Sequence, residues 1–61
     1  MKTDAEYRRV FAQHGLALPE GEVLDARWMM RTDEWWCRTA AGWFWYEERA
    51  KRWKLAPLGP Y

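Results

Sequence analysis

The chain carries one histidine, His14, one cysteine, Cys37, and no serine. Serine nucleophiles are therefore excluded outright. His14 closes an apolar helical stripe, where a protonated imidazole would favour the helix dipole. No nucleophile or orienting acid stands beside it in sequence, as a catalytic base would need. Cys37 falls in an aromatic strand, on the face expected to be buried between Trp28 and Trp45, where a thiol behaves as a small hydrophobe. A reactive thiolate needs an electropositive, open setting, and the adjacent Arg38 points to the opposite face. Glu47 and Glu48 are consecutive and diverge in a strand, while Asp33 and Glu34 belong to a turn, so neither pair makes an acid–base dyad. One Cys and one His fall short of the four ligands of a structural zinc site. Gly15, Gly21, Gly42 and Gly59 are too scattered for a phosphate-cradling loop. The expectation is a protein with no catalytic, cofactor-binding or metal-ligating residues, not an enzyme.

The elements that position these side chains can be read from periodicity. Thr3-Asp4-Ala5-Glu6 has capping-box spacing. Tyr7, Val10, Phe11 and His14 then fall at i, i+3, i+4 and i+7. Gly15 supplies the left-handed residue that ends the helix, and Leu16 can fold back onto Phe11. The spacing predicts a helix over about 4–14. Leu18-Pro19-Glu20-Gly21 is a turn. From Val23 the period changes to two, and Leu24, Ala26, Trp28 and Met30 alternate with Asp25, Arg27, Met29 and Arg31. Strands are expected over about 23–31, 34–39 and 43–47, joined by the polar Arg31–Glu34 loop and by Ala40-Ala41-Gly42 read as a three-residue turn. Beyond Tyr46 two readings stay open. Glu47–Lys51 and Glu48–Arg52 pairs suit a helix. A turn into a fourth strand over 52–55 would cover the open edge of the third, and this reading is preferred. The architecture is α+β: an N-terminal helix packed on a three- or four-stranded antiparallel β-meander, one small domain over 1–61.

The two faces of that sheet carry the functional argument. With Trp28 opposite Cys37 and Cys37 opposite Trp45, one face holds Leu24, Ala26, Trp28, Met30, Trp35, Cys37, Trp43 and Trp45, ample to pack under Tyr7, Val10 and Phe11. The other holds Arg27, Met29, Arg31, Trp36, Arg38, Phe44 and Tyr46. A one-residue slip of the third strand would put Trp43 and Trp45 there in place of Phe44 and Tyr46. One short helix cannot cover both faces, so the second is exposed, capped by the tail to Tyr61, or buried in a partner. Trp, Tyr and Arg are the residues enriched at interface hot spots. The bland alternative is a solvated cation–π lid that only stabilises a small domain. The contact residues expected are Trp36, Arg27, Arg38, Met29, Tyr46 and Phe44, with Arg49, Lys51 and Arg52 as a steering rim.

Composition narrows the partner. Six Trp, three Tyr and two Phe in 61 residues give 18% aromatic content, at a formal net charge of +1. Charge is uneven: residues 49–61 hold Arg49, Lys51, Arg52 and Lys54 and no acid, whereas 23–48 is net acidic. Near-neutrality argues against an acidic DNA mimic and against a dedicated duplex binder. Aromatics on a small sheet beside arginines are also a stacking platform for single-stranded nucleic acid. The nine acidic residues weigh against that reading. A homodimer through the second face is a third reading. No run approaches the roughly 20 apolar residues of a membrane helix. The opening Met1-Lys2-Thr3-Asp4 leads into a charged helical pattern rather than an apolar one. The expected setting is cytoplasmic.

Leu18-Pro19, Gly42-Trp43-Phe44-Trp45-Tyr46, Trp53 and Pro57 resemble, loosely, the punctuation of a WW domain, a three-stranded meander that binds proline-rich peptides. The aromatic strand lies closer to Trp53 than in that family, Trp53 to Pro57 is one residue longer, and a helix precedes the sheet. None of the family's binding residues carries over. Across its whole length the chain, rich in Trp and Arg, resembles small accessory proteins of tailed phages of GC-rich bacteria. That resemblance implies a phage protein acting in the host cytoplasm, binding and inhibiting a host protein such as a polymerase, a defence nuclease or a regulator.

Overall fold

A computed structural model describes residues 2–60; Met1 and Tyr61, the two ends considered above, lie outside the described residues. The helix α1 spans Asp4–Gln13. Thr3 accepts from the Glu6 N–H, and the Glu6 carboxylate accepts from the Thr3 N–H, completing the capping box. Gly15 takes φ 73°, and the Leu16 N–H reaches back to the Phe11 carbonyl at 2.9 Å. This is the reversal that buries Leu16 against Phe11.

Four strands follow: β1 (Asp25–Met29), β2 (Glu34–Thr39), β3 (Gly42–Glu47) and β4 (Arg52–Leu55), antiparallel and in the spatial order β1-β2-β3-β4. The α+β meander is thus the observed fold, with the fourth strand formed. Two i,i+4 ion pairs would add only about 0.5 kcal/mol each to a helix. The strand instead packs Trp53, partly buried, against the core, 5.0 Å from the rings of both Phe11 and Tyr46. Its indole N–H donates to the Ala17 carbonyl at 2.8 Å. Fully burying a large apolar side chain contributes about 1.5–3 kcal/mol; the partly buried Trp53 gains a share of that, and the aromatic pairs add to it.

The core lies between α1 and one face of the sheet. It comprises Phe11, Leu16, Val23, Cys37 and Tyr46, with Tyr7, Ala26, Trp35, Phe44 and Trp53 packed around them. The segment after the helix is tied down at both ends. Ala17 donates its N–H to the Tyr46 hydroxyl at 3.1 Å. Asp4 accepts the Val23 N–H at 2.7 Å and pairs with Arg8, which also donates to the Gly21 carbonyl.

Two registers differ from the periodicity reading. In β1–β2 the pairs are Arg27↔Trp36, Trp28↔Trp35 and Met29↔Glu34. Met30 and Arg31 join a four-residue loop that ends on the left-handed Asp33, φ 54°. This two-residue shift keeps the residues of β1 and β2 on their expected faces, while Met30 and Arg31 leave the sheet. In β2–β3 the pairs are Cys37↔Phe44, Arg38↔Trp43 and Trp36↔Trp45. Ala40 and Ala41 alone form the connection, and Gly42 is already in β3, pairing with Thr39. One residue fewer in the loop moves β3 by one position and exchanges its faces. Phe44 and Tyr46 therefore turn to the helix, and Trp43 and Trp45 turn away from it.

The placement of Tyr46 and Phe44 on the second face is corrected accordingly: Tyr46 is buried in the core and Phe44 packs against it. The assignment of Leu24, Trp28 and Met30 to the core is also corrected. Trp28, on the edge strand β1 with one side of its ring against Trp35, is 46% exposed, Leu24 is 42% exposed, and Met30, in the loop after β1, is 82% exposed.

Candidate functional site

On the face away from α1 the observed pairing lines up side chains from all four strands. Arg27, Trp36, Trp45 and Lys54 form one row across the sheet, and Asp25, Arg38 and Trp43 form a second beside it. Side chains directly opposite across antiparallel strands have Cβ atoms about 4.5–5.5 Å apart, so these residues form one continuous surface. It brings together Arg27, Trp36 and Arg38 as expected, with Met29 at its margin. It adds Trp43, Trp45 and Lys54 in place of Phe44 and Tyr46.

The indoles of this face are half-buried under cationic side chains. The Arg27 and Arg38 guanidinium carbons lie 5.7 and 6.0 Å from the Trp43 ring centroid, and the Lys54 ammonium lies 5.8 Å from that of Trp45. Such cation–π contacts contribute about 0.5–1 kcal/mol each where solvent reaches them. The C-terminal tail covers one end. Ala56 donates to the Trp43 carbonyl at 2.8 Å, and Gly59 lies against the Trp43 indole, where an added Cβ would sit 3.2 Å from the ring. Trp36 and Trp45 lie in the neighbouring row.

Charges on the face are largely matched. Glu47 forms an ion pair with Lys54 at 3.3 Å and lies 3.8 Å from Arg52, and Asp25 pairs with Arg27 at 3.3 Å. Arg38 differs. Asp25 is its direct partner across the strands, yet one Asp25 oxygen accepts the Ala26 N–H and the other the Arg27 side chain. Among the described residues the Arg38 guanidinium makes no hydrogen bond or ion pair, and it rests on the Trp43 ring. Arg49 and Lys51 lie exposed in the β3–β4 loop, and Arg52 opens β4 beside it.

The residues considered for chemistry are dispersed. Cys37 is fully buried, and desolvation pushes its thiol up to about 12. His14 is exposed at the helix end, its ring 5.2 Å from that of Trp35. Among the described residues no three His, Cys, Asp or Glu side chains gather into a metal-binding group, and no helix is long and apolar enough to cross a membrane.

Among the described residues, shallow concavities lie on the helix side. One, of about 430 Å³, runs between the Ala17–Glu20 segment and Phe44 and Trp53. Another, of about 260 Å³, lies between Tyr7, Val10 and the exposed Trp28. Sequence periodicity misses both, since they arise where a short helix leaves the sheet uncovered. Compared with family models, curated proteins and solved structures, the chain matches none of them.

Proposed function

We propose that this protein is a binding module whose partner is another protein, engaged through the Trp36–Trp45 face of the sheet. The observation that supports this reading is the gathering of Trp36, Trp43 and Trp45 with Arg27, Arg38 and Lys54 on the one sheet face that α1 does not cover. Indoles and guanidiniums supply large contact area and directional hydrogen bonds, which is why they dominate interface hot spots. The charge pattern favours a protein over a polyanion. Glu47 and Asp25 already neutralise Lys54, Arg52 and Arg27 in part, which blunts the phosphate-neutralising term that drives nucleic-acid binding. The resemblance to phage accessory proteins supplies the partner class, a host protein held and inhibited in the cytoplasm. Arg49, Lys51 and Arg52 at the rim would steer the encounter.

The test is capture of the partner from a lysate of the source or its host, with and without nuclease. A stoichiometric protein that survives nuclease and is lost with Trp36→Ala or Trp45→Ala supports the reading. Each substitution is expected to cost about 2 kcal/mol or more of binding. Nuclease-sensitive recovery of nucleic acid would instead favour base stacking on the same indoles. A mass that doubles with concentration, and reverts in Trp36→Ala, would favour a homodimer.

A further inference from the structure

Among the cations on this face, Arg38 is distinguished by what surrounds it. It sits in the interior of β2, half-buried, with its guanidinium resting on Trp43 at 6.0 Å. The carboxylate placed opposite it by the strand register is turned elsewhere: Asp25 accepts the Ala26 N–H at 2.8 Å and pairs with Arg27. The other strand-borne cations of the face have acids, Lys54 and Arg52 on Glu47 and Arg27 on Asp25. Arg38 thus holds its planar set of donors on a fixed aromatic shelf, with no acceptor among the described residues. An arginine fork matches a carboxylate in two parallel hydrogen bonds, and stacking on an indole fixes its plane in advance.

We propose that Arg38 is the anchor for an acidic side chain of the protein partner: its guanidinium receives a Glu or Asp carboxylate bidentately, while apolar groups flanking that acid pack on Trp36 and Trp45. The inference rests on the reading of this face as a protein-binding surface, and it names the chemistry that the partner must bring, an acidic residue set between apolar ones. Charge complementarity supports this occupant. The face and the adjoining β3–β4 loop carry Arg27, Arg38, Arg49, Lys51, Arg52 and Lys54 against Asp25, Glu34, Glu47 and Glu48.

The test uses the full chain, isotope-labelled, and three probes: an acetylated decapeptide alternating Glu and Leu, its Gln-for-Glu counterpart, and a ten-nucleotide thymidine oligomer. The Glu peptide is expected to shift the Arg38 Nε–H and the indole N–H signals of Trp43 and Trp45. The Gln peptide should bind about tenfold more weakly, as loss of a charge-assisted pair implies. Arg38→Lys keeps the charge and the aliphatic stem but not the fork. It should weaken the Glu peptide about tenfold, whereas Arg49→Gln should weaken it less than threefold, as expected of a rim charge. Retained far-ultraviolet circular dichroism in Arg38→Lys separates this effect from misfolding. Equal binding of the Glu and Gln peptides, an Arg38 signal that stays in place up to millimolar peptide, or equal losses in Arg38→Lys and Arg49→Gln would overturn the proposal. Tighter binding of the oligomer, with the same signals moving, would overturn it in favour of nucleic acid. In the capture experiment, a partner lost with Trp36→Ala but kept with Arg38→Lys would overturn the anchor and leave the protein-binding reading standing. A partner kept by both would overturn both.

Discussion

Tyr46 and Cys37 show how single side chains are committed in so small a domain. The Tyr46 hydroxyl accepts the Ala17 N–H while its ring packs on Trp53. Tyr46→Phe removes the hydroxyl and leaves the exposed Ala17 N–H to water, a loss of about 0.5–1.5 kcal/mol, measurable as a lower urea midpoint. Cys37, whose thiol burial raises to about 12, should resist a thiol reagent at pH 8 until the chain is unfolded in urea. The folded state holds this proton more tightly than the unfolded one. Its contribution to stability is therefore full below about pH 9, the ordinary thiol value, and is lost as pH rises towards about 12. Asp4 runs the other way. The Val23 N–H, and then Arg8, hold its carboxyl below the ordinary value of 3.8. The stability it contributes is present above that value and is lost as pH falls through the lowered one. Urea midpoints measured from pH 6 to pH 2 should therefore fall more in the native chain than in Asp4→Asn; parallel curves would show that Asp4 contributes nothing.

At the scale of elements, loop length decides what each strand presents. The β1–β2 and β3–β4 connections each have four residues and end on a left-handed one, Asp33 and Lys51. Asp tolerates that conformation through local hydrogen bonding. Lys51, at φ 52°, has no such relief, and the left-handed region costs a side-chain-bearing residue about 1–2 kcal/mol. Lys51→Gly should therefore stabilise the chain by up to about 1 kcal/mol, after allowing for the greater freedom of Gly in the unfolded state. A lower thermal midpoint would contradict the strain assigned to this turn. The helix depends on its cap in the same local way. Thr3→Ala removes the side-chain acceptor of the Glu6 N–H and should cost about 1 kcal/mol, read as a lower thermal midpoint.

For the molecule as a whole, one helix on a four-stranded sheet leaves an asymmetry of cover. Chains of this length bury only about 60% of their unfolded surface, so the core has little redundancy. Phe11, fully buried and in contact with Trp35 and Trp53, should be indispensable. Phe11→Ala costs about 3–5 kcal/mol, most of the stability of a domain this size, and circular dichroism at 25 °C should report an unfolded chain. The opposite face responds differently. Trp36→Ala and Trp45→Ala remove no part of that core and should leave the fold in place while abolishing capture of the partner.

Much of this molecule was legible in order along the chain. Thr3 and Glu6 announced the helix start, Gly15 its end, and the change of period at Val23 the first strand, because capping, reversal and amphipathic spacing are written in residues a few positions apart. The second face as a patch of Trp36 with Arg27 and Arg38 was legible too, since a two-residue shift of register preserves parity. Three things required the tertiary structure. Gly42 joins β3 instead of the turn, and that single residue sends Tyr46 inward and Trp43 and Trp45 outward. Trp53 outweighs the local helix preference of Glu47–Arg52 because its packing partners, Phe11 and Tyr46, are remote in sequence. Trp28 is left exposed on the edge strand β1, and which strand lies at an edge is settled only when the sheet assembles. Local signals set the elements; pairing between remote segments settled which way each side chain points, because a pleated strand turns its whole face over with one residue of slip.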